Sequence, residues 1–238
     1  RLNVWVESDN PWMNMEAWRA CKTNPDPAWF DGAVAYGGLD LASTSDIAAL
    51  ALLLVKDGKI MPLMRYYLPE ETVRRRVQKH DVPYDVWAEQ GLITLTPGDV
   101  TDYAFIEKDI MEFMEKYDVK SIGYDRWNAS QLVNNLMEAG APMCQFGQGF
   151  ASMSAPMKEL ERLVVGKKFE LGEDPVLEWM ARNVVIKEDE AQNIKPARNK
   201  SKDKIDGMVA LIMAIGRWMA DDQEDGKSVY EQRDMIIL

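Results

Sequence analysis

Apolar and polar residues fall into segments along this chain, and their spacing predicts a mixed α/β domain. Three apolar runs, 33–41, 47–56 and 59–68, each have the length of a strand. Asp57-Gly58 separates the second from the third and is a favoured tight hairpin pair. A break rich in Ser and Thr, 42–46, separates the first from the second. The three runs read as consecutive antiparallel strands. The period then changes. Pro69-Glu70-Glu71 opens a helix continued by Val73 and Val77, and 84–90 is a short helix ended by Gly91. Residues 92–95 form a short strand, and 102–117 an amphipathic helix with Ile106, Ile110, Phe113 and Met114 on one face. A buried strand, 119–124, ends at Asp125. Beyond it come a helix at 129–139 closed by Gly140, a strand at 143–146 and a helix at 151–165 closed by Gly166. A helix at 174–182, a strand at 184–187, a polar stretch at 188–202 and a last helix at about 203–220 complete the pattern.

A three-strand meander followed by alternating helices and parallel strands implies a mixed sheet with helices on both faces. Residues 1–31 carry Trp5, Trp12, Trp18 and Trp29 among turn formers, with one short helix near 15–21. They read as an arm whose rings pack on the body, which spans 32–220. Residues 221–238 read as a polar tail, flexible up to its apolar end.

Composition narrows the classes. Of 238 residues, 47% are apolar, enough for a large core. No apolar run has the length of a membrane span. The opening Arg1-Leu2-Asn3-Val4-Trp5 lacks the order of a signal peptide, and a first residue other than Met reads as a fragment or processed chain. Cys21 and Cys144 give no disulfide framework, which fits a reducing cytoplasm. With His80 as the one histidine, they cannot build a usual zinc site. The formal net charge of -11 argues against nucleic acid unless basic residues are local and metal neutralises some of the acids.

Three acids stand at the ends of apolar elements. Asp40 lies in Gly37-Gly38-Leu39-Asp40-Leu41-Ala42, Asp125 follows the strand 119–124, and Asp206 opens the apolar stretch of the last helix, with Asp203 three residues earlier on the same expected face. Buried acids are costly unless paired, hydrogen-bonded or metal-bound. Asp125 read as a cap and Asp206 read as a partner of the helix dipole are equally open on position alone. Asp40, in mid-strand, is harder to explain that way. Convergence of the three at the mouth of a mixed sheet would make an oxygen-rich site suited to Mg²⁺ or Mn²⁺, and two such ions support phosphodiester cleavage. Lys195, Arg198, Lys200, Lys202 and Lys204 concentrate positive charge just before that helix, as a solvated loop or a phosphate-contacting one. Arg74-Arg75-Arg76 reads as solvated surface, and Asp46 as a turn residue. Gly226-Lys227-Ser228 lacks the earlier glycine of a phosphate loop, since position 221 is Asp.

In order and spacing, Gly38-Leu39-Asp40-Leu41-Ala42-Ser43-Thr44-Ser45-Asp46, Tyr124-Asp125-Arg126-Trp127-Asn128, Asp174-Pro175-Val176-Leu177-Glu178-Trp179 and Lys204-Ile205-Asp206-Gly207-Met208 resemble the nuclease domain of tailed-phage terminase large subunits. Asn3-Val4-Trp5 and Ser228-Val229-Tyr230-Glu231 extend the match to nearly the whole chain. The resemblance implies a ribonuclease-H-like fold and metal-dependent cleavage of concatemeric viral DNA in the host cytoplasm. By position it implies Asp40, Asp125 and Asp206 as the metal-binding catalytic triad and Asp203 as an auxiliary ligand. It implies double-stranded DNA, the portal protein, the small terminase subunit and an ATPase domain of the same full-length chain as partners, with residues 1–31 as the linker from that ATPase domain. Many relatives carry a His near Glu170-Leu171-Gly172-Glu173, where this chain has none. A resolvase or proofreading exonuclease of the same fold, or a docking module that has lost cleavage, is the alternative. An exonuclease pair Asp-x-Glu is absent at Asp40-Leu41-Ala42.

Overall fold

The Asp57-Gly58 turn sets the first hairpin. Both residues take positive φ, 46° and 75°, the left-handed pair that matches the twist of two antiparallel strands. In this computed structural model, which describes residues 12–41, 46–77, 82–126, 130–201 and 203–224, the described residues begin with helix α1, Met15–Ala20, and a 3-10 turn, Pro27–Phe30. The meander follows as β1 (Val34–Asp40), β2 (Ala48–Lys56) and β3 (Lys59–Pro69). Next come α2 (Glu70–Val77), α3 (Tyr84–Glu89), β4 (Thr94–Thr96), α4 (Tyr103–Lys116) and β5 (Asp118–Tyr124). The chain continues through α5 (Ser130–Glu138), β6 (Met143–Gln145), α6 (Phe150–Val165) and α7 (Pro175–Asn183). It closes with a small hairpin of β7 (Ile186–Glu188) and β8 (Ile194–Pro196), then α8 (Asp206–Glu224).

Six strands form one sheet in the order β4-β3-β2-β1-β5-β6. β1, β2 and β3 pair antiparallel, while β5 joins β1, β6 joins β5 and β4 joins β3 in parallel. This is the expected mixed sheet. β2 runs through its centre and is apolar on both faces because both are covered. Ala48, Leu50, Leu52 and Leu54 enter one core with Ile106 and Ile110 of α4 and Leu136 of α5. Ala49, Ala51 and Leu53 enter the other with residues of α6, α7 and α8.

α8 is the central helix of that second layer. Residues 205–215 are all buried, which explains why the helix is apolar around its circumference. It approaches β1 so closely that a Cβ on Gly38 would lie 2.0 Å from the Ala210 carbonyl oxygen and 2.7 Å from the Ala214 nitrogen. Glycine on the strand and alanine on the helix let the two backbones touch. Trp12 and Trp18 are buried in the same layer, whereas Trp29 is 38% exposed. Glu178 of α7 ties α1 down through Arg19, at 3.2 Å, and Lys22, at 2.7 Å, and also pairs with Arg182. Burial opposes the charge on Glu178, but Lys22, Arg182 and Arg19 outweigh it and hold its pKa at about 2.

Two differences from the expected elements matter for the site. The stretch 188–202 contains β8, and a hairpin arises where the sequence suggests a polar loop. The last helix begins at Asp206 rather than 203, so Asp203 does not share a helical face with it, and it runs on to Glu224. The Asp203 side chain instead accepts a hydrogen bond from its neighbour, the Lys204 N–H, at 2.9 Å. His80, Lys202, Gly226-Lys227-Ser228 and the residues after Glu224 lie outside the described residues.

The close approach at Gly38 yields a prediction. Gly38→Ala should lower unfolding stability by about 1–3 kcal/mol through overpacking, read as a lower denaturant midpoint. An unchanged midpoint would show that β1 and α8 can part without cost.

Candidate functional site

Asp40 is the last residue of β1, and side chains alternate along that strand. Tyr36, Gly38 and Asp40 face α8: the Tyr36 hydroxyl donates to Asp221 Oδ2 at 2.5 Å, and Gly38 meets Ala210. α8 therefore runs back along β1, and its first residue, Asp206, returns to the Asp40 end. Asp40 is 4% exposed and Asp206 7%. The position of Asp206 at the head of a 19-residue helix also suits its charge to the helix dipole, so the dipole reading and the site reading coincide.

One guanidinium joins the two acids. Arg198, in the turn after β8, donates from one terminal nitrogen to Asp206 Oδ1 at 2.8 Å and from the other to Asp40 Oδ2. Gln148 Nε2 donates to Asp40 Oδ1 at 3.0 Å. Among the described residues, nothing hydrogen-bonds to Asp206 Oδ2, although that oxygen is buried. Burial pushes the Asp40 carboxyl up to about 6, against the pull of Arg198 and with a further push from Asp206. Asp206 is likewise raised by burial, with Arg198 pulling the other way. Burial also opposes the charge on Arg198, but the two carboxylates outweigh it and hold its pKa above the ordinary range. Two carboxylates with a single shared cation leave local negative charge and one unsatisfied oxygen, a donor set suited to a hard cation.

Leu39 pairs with Tyr124, so Asp125, just past β5, stands beside Asp40. On β5, Ser121 accepts a hydrogen bond from Arg217 of α8 at 2.8 Å, which ties that strand to the same helix. Asp125 lines an open cleft of about 560 Å³ with Gln148. Among the described residues, no group of three or more His, Cys, Asp or Glu side chains lies close enough to hold a metal ion. The structure thus brings Asp40 and Asp206 together on Arg198, sets Asp125 at the adjacent strand end, and leaves Asp203 in a local backbone contact.

The basic run divides. Arg198 and Lys204 are engaged by acids, Lys204 with Asp46 at 2.6 Å. Lys195 lies 5.0 Å from the Phe150 ring centroid and lines a second cleft, of about 320 Å³, with Lys187, Arg198 and Gln148. Lys200 is exposed. Gln148 lines both clefts, so they form neighbouring parts of one groove beside the acids. Arg74 and Arg75 make exposed ion pairs with Glu71, at 2.5 Å, and Asp99, at 2.8 Å, as a solvated surface would. Sequence reasoning misses Gln148. Its only signal is Gly147-Gln148-Gly149 between a strand and a helix, where flanking glycines leave the backbone open around one amide side chain.

Comparison with known proteins fits this geometry. The family described as terminase large subunit, endonuclease domain, matches residues 1–222. The terminase large subunit of Enterobacteria phage HK97 is 32% identical over 231 residues, covering 94% of this chain, and the chain spans 45% of that protein. The crystal structure of the HK97 large terminase superposes with a TM-score of 0.79 at 33% identity, over 90% of this chain and 45% of that one. The large terminase nuclease from thermophilic phage G20c, in a structure with bound magnesium, shares the fold at a TM-score of 0.52 and 11% identity, over 79% of this chain and 84% of that one. The sheet is the ribonuclease-H-like sheet of these nucleases, and the chain belongs to the terminase large subunit endonuclease domain family.

Proposed function

We propose that this domain hydrolyses phosphodiester bonds of concatemeric viral double-stranded DNA, with divalent cations, Mg²⁺ or Mn²⁺, held by Asp40 and Asp206 and completed by Asp125. The observation that carries this reading is the pair of buried carboxylates at the joined ends of β1 and α8, sharing one cation and leaving Asp206 Oδ2 without a partner among the described residues. A structure of the G20c nuclease with bound magnesium supports the choice of ion class. Such ions, once bound, activate water and neutralise charge on the cleaved phosphodiester.

The chain's own residues supply the rest. Asp40 and Asp206 are held rigidly by a strand end and a helix start, which keeps ligand geometry fixed. Gln148 holds the Asp40 carboxylate by its amide, on the oxygen that Arg198 does not use. Lys187 and Lys195 line the groove beside the acids and, with exposed Lys200, attract phosphates to this face of an otherwise acidic domain. Asp203, whose Oδ1 accepts from the Lys204 N–H, is the auxiliary acid of this reading. The full-length chain would add the ATPase domain, the portal and the small terminase subunit as partners, with residues 1–31 as the linker and the host cytoplasm as the setting. No helix among the described residues is long and apolar enough to cross a membrane.

Two outcomes are expected. Asp40→Asn, Asp125→Asn and Asp206→Asn should each slow plasmid cleavage in Mg²⁺ or Mn²⁺ by about 100-fold or more, the scale on which one charge-stabilising group acts, with circular dichroism unchanged. Wild-type cutting by any of these folded variants would remove that residue from the site, and absence of metal-dependent cutting by the unmodified domain would reduce it to a docking module. Separately, Lys187, Lys195 and Lys200 changed together to Ala should weaken DNA binding. The log-log salt slope should flatten by about one unit for each phosphate that a removed lysine had neutralised. An unchanged slope would move the DNA path elsewhere on the surface.

A further inference from the structure

Arg198 has two properties that its neighbours lack. It is the shared hydrogen-bond partner of both buried acids, reaching Asp206 Oδ1 at 2.8 Å and Asp40 Oδ2. Yet its side chain is 43% exposed, while those of Asp40 and Asp206 are 6% and 10% exposed. The acids are fixed in the core and the cation approaches them from the groove. The backbone behind Arg198 is also fixed. The Ala197 N–H donates to the Val185 carbonyl at 2.7 Å, the Ser201 hydroxyl donates to the Ala197 carbonyl at 3.1 Å, and the Ile194 N–H donates to Ser154 of α6 at 3.1 Å. What remains free to change is the side chain, and the cleft that it lines also holds Lys187, Lys195 and Asn199.

We infer that Arg198 is a built-in counter-cation that competes with the divalent metal for Asp40 and Asp206, so that loading the site requires the guanidinium to swing out into the groove. This rests on the metal reading above. The physical reason is occupancy and charge. The guanidinium already holds one oxygen of each acid, so an ion that draws both carboxylates onto itself competes with it for those oxygens. A divalent ion placed there with Arg198 still seated would set like charges side by side in a buried site. The two states are therefore exclusive. In the metal-free state Arg198 removes most of the repulsion between two buried carboxylates and keeps the empty site folded. In the loaded state the released cation stands in the groove, beside the lysines that face DNA. The pair thus keeps metal affinity low until another partner, such as a phosphate in the groove, stabilises the released arginine. Linkage then requires DNA and metal to strengthen each other's binding through this side chain.

The test is Mn²⁺ binding to the DNA-free protein, measured by calorimetry and by counting free Mn²⁺ with electron paramagnetic resonance. Wild type, Arg198→Ala, Arg198→Lys and Asp206→Asn are compared, with melting temperatures in EDTA and in millimolar Mn²⁺. The expected result is that Arg198→Ala binds Mn²⁺ about tenfold or more tightly than wild type, because the competing state is gone. It should melt below wild type in EDTA, and that gap should close or reverse in Mn²⁺. Arg198→Lys, which keeps the charge but cannot span both acids, should lie between them, and it carries the test if Arg198→Ala does not fold. Equal or weaker Mn²⁺ binding by the folded Arg198 variants, with wild-type binding lost in Asp206→Asn, would overturn the competition while leaving the metal site standing. Absence of any Mn²⁺ binding that depends on Asp206 would overturn both.

Discussion

The contact of β1 with α8 is the constraint on which the rest of the structure depends. A helix normally packs on a sheet through intervening side chains, but here Gly38 leaves no room for a Cβ between strand and helix. Gly207 and Gly216 repeat the theme farther along α8, where a Cβ would meet Tyr66 at 2.7 Å and Phe146 at 2.5 Å. The helix is thereby locked in position along the strand. Because it runs back along β1, its first residue comes to the strand's last, and two acids 166 positions apart share one guanidinium.

Electrostatics then decides what this junction can be. Two carboxylates in a buried setting are costly unless compensated, and Arg198 compensates only in part, as the upward shift of both acids indicates. A site so poised favours any cation that brings more charge in less space. The chain carries -11 overall, yet Lys187, Lys195 and Lys200 lie on or beside the groove next to the acids. Net charge alone argues against a nucleic-acid partner, whereas the local distribution is what a phosphate backbone would meet.

Most of the scaffold can be read from the sequence because its signals are local. The Asp57-Gly58 turn, the amphipathic period of α4 and the apolar runs of β1, β2 and β5 each follow from a few adjacent residues. Asp40 is legible as an acid out of place in a strand, and Asp206 as one at the head of an apolar helix. Long-range facts are not legible. β8 has Ile194 as its only buried residue within a polar stretch, so hydrophobic period gives no strand signal there. Arg198 reads with its basic neighbours as a phosphate contact, because charge along the sequence does not reveal which acid faces it across the fold. Spacing puts Asp203 on the helix, but its side chain bonds the next backbone N–H and the helix starts later, a competition typical of Asp near helix starts. Gln148 gives no warning because an amide that holds a carboxylate is identical in sequence to one in solvent.

On this reading the Asp40–Asp206 junction is a cation site whose occupant can be exchanged. Anomalous diffraction from crystals of this domain grown with Mn²⁺ tests it directly. The expected result is a manganese peak in contact with the carboxylates of both Asp40 and Asp206, with the Arg198 guanidinium turned away from them. Crystals that contain manganese elsewhere, with Arg198 still bridging both acids, would contradict it.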